Sequence, residues 1–131
     1  MKRPPRNLPD PACSDSLETE GIHLCILASG SRGNATFFSD GTTRILIDAG
    51  LSGKEIERRL TSRNIAASAL DAILVTHEHS DHIQGVGVLS RRFKLPVYIS
   101  EATHAAAARY LGKLHRQVPF RCGEGLSLIH I

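Results

Sequence analysis

Thr76-His77-Glu78-His79-Ser80-Asp81-His82 sets three imidazoles and a carboxylate, all able to hold a metal, within the six residues from His77 to His82. Packing does not call for that density. Imidazole nitrogen and carboxylate oxygen suit zinc and other borderline first-row cations, with bonds of about 2.0–2.2 Å to Zn²⁺. His77, His79, Asp81 and His82 therefore read as most of the ligand set of a hydrolytic metal site. A lone histidine on a loop is usually a solvated side chain, but the ordered pattern His-x-His-x-Asp-His is far more specific. Glu78 and Ser80 alternate with the candidate ligands, point elsewhere, and are given no catalytic role.

The flanking sequence supports this reading. Residues 71–76, Asp-Ala-Ile-Leu-Val-Thr, form a short apolar and partly β-branched run, readable as a buried strand that ends where the histidines begin. His77 and His79, two apart in extended chain, point to the same side and can reach one ion. Ile83, Val86, Leu89 and Phe93 then take up a helical period. Asp81 and His82 are thus expected at a helix start, turned toward a second ion. A loop between a strand and a helix is a well-braced place for ligands.

Working outward, strands are expected at 22–28, 35–39 and 44–48, the last two joined by the turn Asp40-Gly41, with Thr42-Thr43 lengthening the loop. Ile56, Leu60 and Ile65 mark one face of a helix from about 53 to 64. A strand restarts at 96–100, and the alanine-rich stretch 101–111 is a helix. Strands first and strand–helix alternation afterwards predict an α/β layered fold, a mixed sheet with helices on one face.

The segment Thr76 to Gly85, together with the upstream strand Ile45-Leu46-Ile47-Asp48 and its following Ala49-Gly50, resembles the signature elements of the metallo-β-lactamase-fold hydrolases. Within that superfamily, Leu27-Ala28-Ser29-Gly30-Ser31-Arg32-Gly33-Asn34 and Leu51-Ser52 look most like the YycJ (WalJ) group, proposed to be nucleases. The resemblance implies the N-terminal half of an αββα sandwich of about twice this length, whose remaining ligands come from later loops. It implies two divalent metal ions, zinc first and manganese or iron as alternatives. His77 and His79 would hold one ion, Asp81 and His82 the other, with Asp81 also acting in catalysis. Asp48 would orient the ligand loop through its contacts. The implied chemistry is hydrolysis by a metal-activated water, suited to phosphodiesters and equally to thioesters or lactones. The expected function is a nuclease acting on DNA. The alternatives are a small-molecule esterase of glyoxalase II type and an inactive truncated fragment.

Composition fits a soluble cytoplasmic enzyme. Of the 131 residues 41% are hydrophobic and 22% charged, and no apolar run approaches the 18 or so residues needed to cross a bilayer. Residues 1–20 carry positive charge without an apolar core behind it and are expected to be a flexible tail, leaving 21–131 as a truncated domain. The end, residues 126–131, starts like a strand, stops without a turn, and looks like translated adapter sequence, so His130 is a poor ligand candidate. Cys13, Cys25 and Cys122 are too few and too scattered for a disulfide framework, and Cys25 reads as a small core residue.

A net charge of +3 points only weakly to nucleic acid. Arg58, Arg59 and Arg63 share a helix with Glu55 and Glu57, the usual pattern of a solvated face. Arg91-Arg92-Phe93-Lys94 closes the helix after the metal loop, where cations favour the C-terminal dipole, and no aromatic platform accompanies it. His104 and His115 read as surface histidines. Ser29, Ser31 and Asn34 are either a polar loop near the metals or a tight turn that uses Gly30 and Gly33, with the turn favoured slightly.

Overall fold

The structure is a computed structural model that describes residues 17–19 and 21–121. Among these, seven strands form one sheet in chain order: β1 (Leu17–Thr19), β2 (Ile22–Ala28), β3 (Ala35–Ser39), β4 (Arg44–Ile47), β5 (Ala72–Leu74), β6 (Pro96–Tyr98) and β7 (Arg116–Val118). Strands β1 to β4 pair antiparallel, and β4 to β7 pair parallel. Parallel neighbours need a crossover, supplied by α1 (Gly53–Ser62), by α2 (Ser80–Ile83) with α3 (Val86–Phe93), and by α4 (Glu101–Leu111). Right-handed crossovers between strands that advance steadily across a sheet put these helices on one face.

The register identifies that face. Cys25, Phe37, Leu46, Ile73 and Val97 are successive cross-strand neighbours, each no more than 2% exposed. They share the core with Ile56 and Leu60 of α1, Val86 and Leu89 of α3, and Ala107 and Leu111 of α4. Fully burying an aliphatic side chain of this size contributes about 1.5–3 kcal/mol, so this layer carries much of the fold's stability. On the opposite face Leu24, Phe38, Ile47, Leu74 and Tyr98 are only half-buried and Ile26 is 46% exposed. Ile45 and Ala72, on the same face, are 5% and 1% exposed.

Local chemistry explains the boundaries. Asp40 Oδ1 accepts from the N–H groups of Thr42 and Thr43 at 2.9 and 2.7 Å, and Gly41 takes φ +90°, closing the β3–β4 hairpin. Those donors favour the ionised carboxylate and hold the Asp40 pKa below its ordinary value. Ser52 caps α1 through Glu55 N, and Ser100 caps α4 through Thr103 N.

The structure departs from the sequence reading at several points. Leu17–Thr19, at the end of the stretch read as a tail, pairs with β2; residues 1–16 and 20 lie outside the described residues, as do 122–131 with His130. Arg116 begins β7, a short strand whose polar sequence gives no alternation to read. The helical period after Asp81 belongs to two helices. They break at Gly85, whose N–H donates to Ala49 O at 2.7 Å instead of continuing the helical ladder. Cys25 is fully buried as expected, and it is also disulfide-bonded, which the scattered cysteines did not suggest.

Candidate metal centre

The site forms where the parallel strands β4 and β5 end, the edge at which open α/β sheets place their ligands. Asp48 follows β4 directly. It is 5% exposed and left-handed, with φ 62°, a conformation that a short polar residue tolerates better than most. That backbone turn aims its carboxylate at the histidine loop. Oδ1 accepts from Thr76 N at 2.8 Å, and Oδ2 accepts from Thr76 Oγ1 at 2.6 Å and from His82 Nδ1 at 2.7 Å.

These contacts assign the histidine tautomers. His82 Nδ1 faces a carboxylate and must carry the proton that it donates, which leaves Nε2 as the free lone pair. Thr76 has committed its hydroxyl proton to Asp48, so its oxygen accepts from His77 Nδ1 at 2.9 Å. His77 is thereby also left with Nε2 free. A single buried carboxylate thus sets the tautomer of two imidazoles, one directly and one through a hydroxyl.

The rings gather on one side of the loop. His77 and His79 lie 28° from parallel with centres 6.3 Å apart, and His77 and His82 have centres 4.8 Å apart. Two imidazoles on one tetrahedral zinc have ring centres separated by roughly 5 Å, so the second pair is at that spacing and the first is more open. Asp81 Oδ2 stands 3.8 Å from His82 Nε2, within the span of two donors on one ion. His77 and His79 are exposed, whereas Asp81 and His82 are half-buried at the start of α2. As they stand, no group of three or more His, Cys, Asp and Glu among the described residues is arranged to hold an ion. The four side chains fit a divalent cation by donor chemistry, His77 and His82 also by tautomer, and they are short of a closed ligand set.

Backbone contacts lock the loop in place. Asn34 N–H donates to Asp81 O at 2.7 Å, Gly50 N–H to Asn34 O at 2.9 Å, and Ala49 N–H to His82 O at 2.9 Å. Three segments, 30–34, 48–50 and 81–85, are stitched together. A Cβ on Gly50 would lie 1.8 Å from Asp81 O, so this position admits only glycine. The tight-turn reading of Asn34 holds, since its side chain bonds Gly30 at two points, and the same side chain also reaches Asp81. The sequence showed the glycines of this turn but not its partner 47 residues away.

In the basic patch after the histidine loop, two arginines have partners within the chain. Arg91 Nη1 donates to Leu111 O and Lys113 O at 3.0 and 2.8 Å, capping the C-terminus of α4, and Arg92 pairs with Glu57 at 2.7 Å. Arg58 and Arg59 share Glu55, as their mixed charge pattern implied. His104 lies on α4, and His115 precedes β7, where its N–H donates to Ser90 Oγ.

Comparisons with known proteins agree with this geometry. The sequence model of the metallo-beta-lactamase superfamily matches residues 28–121. Exodeoxyribonuclease WalJ of Streptococcus pneumoniae is 49% identical over 96 residues, covering 72% of this chain and 36% of that protein. Exodeoxyribonuclease YycJ of Bacillus anthracis is 45% identical over 94 residues, with the same coverage. Hydroxyacylglutathione hydrolase of Hamiltonella defensa is 35% identical over 88 residues, covering 66% of this chain and 33% of that protein. The chain thus spans about a third of the length of the curated relatives it matches. A solved B3 metallo-beta-lactamase with an active-site glutamic acid superposes with a TM-score of 0.66 at 18% identity, covering 82% of this chain and 45% of that one, a likeness of fold. With the mixed sheet, the histidine loop at its strand ends and a family match over most of its length, the chain belongs to the metallo-beta-lactamase superfamily.

Proposed function

We propose that this chain is the N-terminal, ligand-bearing part of a metal-dependent hydrolase that cleaves DNA phosphodiesters in the cytoplasm. The observation that carries the metal reading is the hydrogen-bonded set Asp48–His82 and Asp48–Thr76–His77, which leaves Nε2 of both histidines free to bind. Such carboxylate–histidine contacts fix ring orientation and raise ligand basicity in metal sites. The DNA reading rests on the two exodeoxyribonuclease relatives, which are more similar to this chain than the hydroxyacylglutathione hydrolase is.

His77 and His79 would hold one divalent ion and Asp81 with His82 a second, zinc first and manganese or iron as alternatives. When bound, such ions supply a hydroxide at neutral pH and polarise the scissile group. The chain's own part is positional. Asp48 fixes two imidazoles, Asp81 presents its carboxylate beside His82, and the exposed His77 and His79 leave that edge open to a substrate. The remaining ligands would come from sequence beyond this chain's share of its relatives, and the half-buried apolar sheet face would be covered by the same sequence.

The test is an assay of the completed protein on single- and double-stranded DNA with Mn²⁺ or Zn²⁺, run beside a thioester. Metal-dependent release of nucleotides, lost in Asp81→Ala, is the expected result. Cleavage of the thioester with every DNA left intact would overturn the nuclease assignment and favour the glyoxalase-like alternative.

A further inference from the structure

We infer that Asn34 is a positioning residue for Asp81, fixing through its side-chain amide the orientation in which the Asp81 carboxylate is presented beside His82. The inference rests on the reading of Asp81 as a metal ligand. Asn34 Nδ2 donates to Asp81 Oδ2 at 3.2 Å and to Asp81 O at 3.2 Å, while Asn34 N–H donates to that same carbonyl at 2.7 Å. The oxygen that Asn34 holds is the one 3.8 Å from His82 Nε2.

The amide can sit only one way round. Nδ2 faces three oxygens, those of Gly30 O, Asp81 O and Asp81 Oδ2, whereas Oδ1 faces the N–H of Gly30. Turning the group over would oppose one oxygen to three others and one N–H to another. The amide is itself braced, since Gly30 contacts it at both ends and Gly50 N–H donates to Asn34 O. Asp81 lies in the first turn of α2, and its rotation is set from outside its own helix by a loop 47 residues earlier. A carboxylate held in this way needs no reordering when an ion arrives. One left free would lose rotamer freedom on binding.

The experiment is a double-mutant cycle on the completed protein, titrated with Zn²⁺ and with Co²⁺ alone, with ion count and affinity as readouts and the melting of the metal-free protein recorded beside them. Asn34→Ala is expected to weaken one of the two ions by about 10–100-fold and to shift the Co²⁺ d–d bands, with the other ion little changed. In an Asp81→Ala background the same substitution should add nothing further. Asn34→Asp keeps the shape, removes both donors and sets a second carboxylate against Asp81. It should weaken the same ion at least as much, and it decides the matter if Asn34→Ala fails to fold. An equal loss in both backgrounds would show that Asn34 acts through the loop and not through Asp81, overturning the inference, as would unchanged affinity in both Asn34 variants. If Asp81→Ala itself leaves both ions bound as before, the metal reading of Asp81 fails and this inference fails with it.

Discussion

A left-handed backbone at Asp48 is tolerated because the residue's carboxylate gains three donors there, Thr76 N, Thr76 Oγ1 and His82 Nδ1. Backbone strain of this kind persists where surrounding contacts over-determine it and clusters at functional sites. Asn is also at home at positive φ and matches Asp in size, so Asp48→Asn separates acceptor chemistry from geometry. Its NH₂ would face donors that need an acceptor, and the proton placement on His82 or His77 would fail. The expected outcome is a loss of metal affinity of about 10–100-fold, measured by competition with a chelating dye. Full affinity in Asp48→Asn would show that the carboxylate does not set the tautomers. Gly50→Ala tests the backbone instead, because the new Cβ would meet Asp81 O, and we expect lower thermal stability and lower metal affinity together. At this scale the sequence was informative where chemistry is dense in the chain. Four candidate ligands in six residues can be read directly, whereas Asn34 and Thr76 matter through partners that no local spacing reveals.

Among the elements, those with regular periods were the legible ones. Alanine-rich α4 has the bounds expected of it, and β2 and β3 do too. The break between α2 and α3 was not legible because its cause is tertiary: a Cβ at Gly85 would lie 2.5 Å from Leu51 O, so the loop after β4 presses on the chain there. On α1 the Glu55 carboxylate is drawn down from 4.5 to about 2, first by the hydrogen bonds from Arg58 and then by those from Arg59. A depressed carboxyl pKa contributes stability that is complete above the unfolded value and disappears as pH falls through the folded one. The Glu55 contribution should therefore be whole above about pH 4.5 and gone by about pH 2. Acid melts of the wild type and Glu55→Gln should converge across that window, with a smaller difference in high salt because the group is exposed. Arg92, paired with Glu57 at 2.7 Å, should behave as an exposed ion pair. Arg92→Ala should change stability by no more than about 1 kcal/mol and, where the completed protein binds DNA as proposed, leave the salt dependence of that binding unaltered. A shallower salt slope in that variant would return Arg92 to the substrate surface.

At the scale of the whole molecule, the two sheet faces differ in how far their apolar side chains are buried. The helix face is closed, and Leu46→Ala there should cost about 2–5 kcal/mol, a cavity penalty read from denaturant unfolding. On the other face Ile26 is 46% exposed beside half-buried Leu24, Phe38, Ile47 and Leu74, a contiguous apolar strip across β2 to β5. Contiguous exposed apolar surface promotes association, so the 131 residues expressed by themselves should self-associate through this strip. No single strand announced it, because β2 reads as apolar on both faces apart from His23 and only the register of four strands shows that its two faces have different fates. Ile26→Glu places a charge at the most exposed point of the strip, where it displaces no packed side chain. Sedimentation velocity on the 131-residue chain should show a shift toward monomer in Ile26→Glu, with the far-ultraviolet spectrum unchanged. The same substitution in the completed protein should do the reverse, lowering stability because the position is then covered. A monomeric wild-type chain, or an Ile26→Glu completed protein as stable as its parent, would show that nothing packs on this face and that the proposed second half does not lie there.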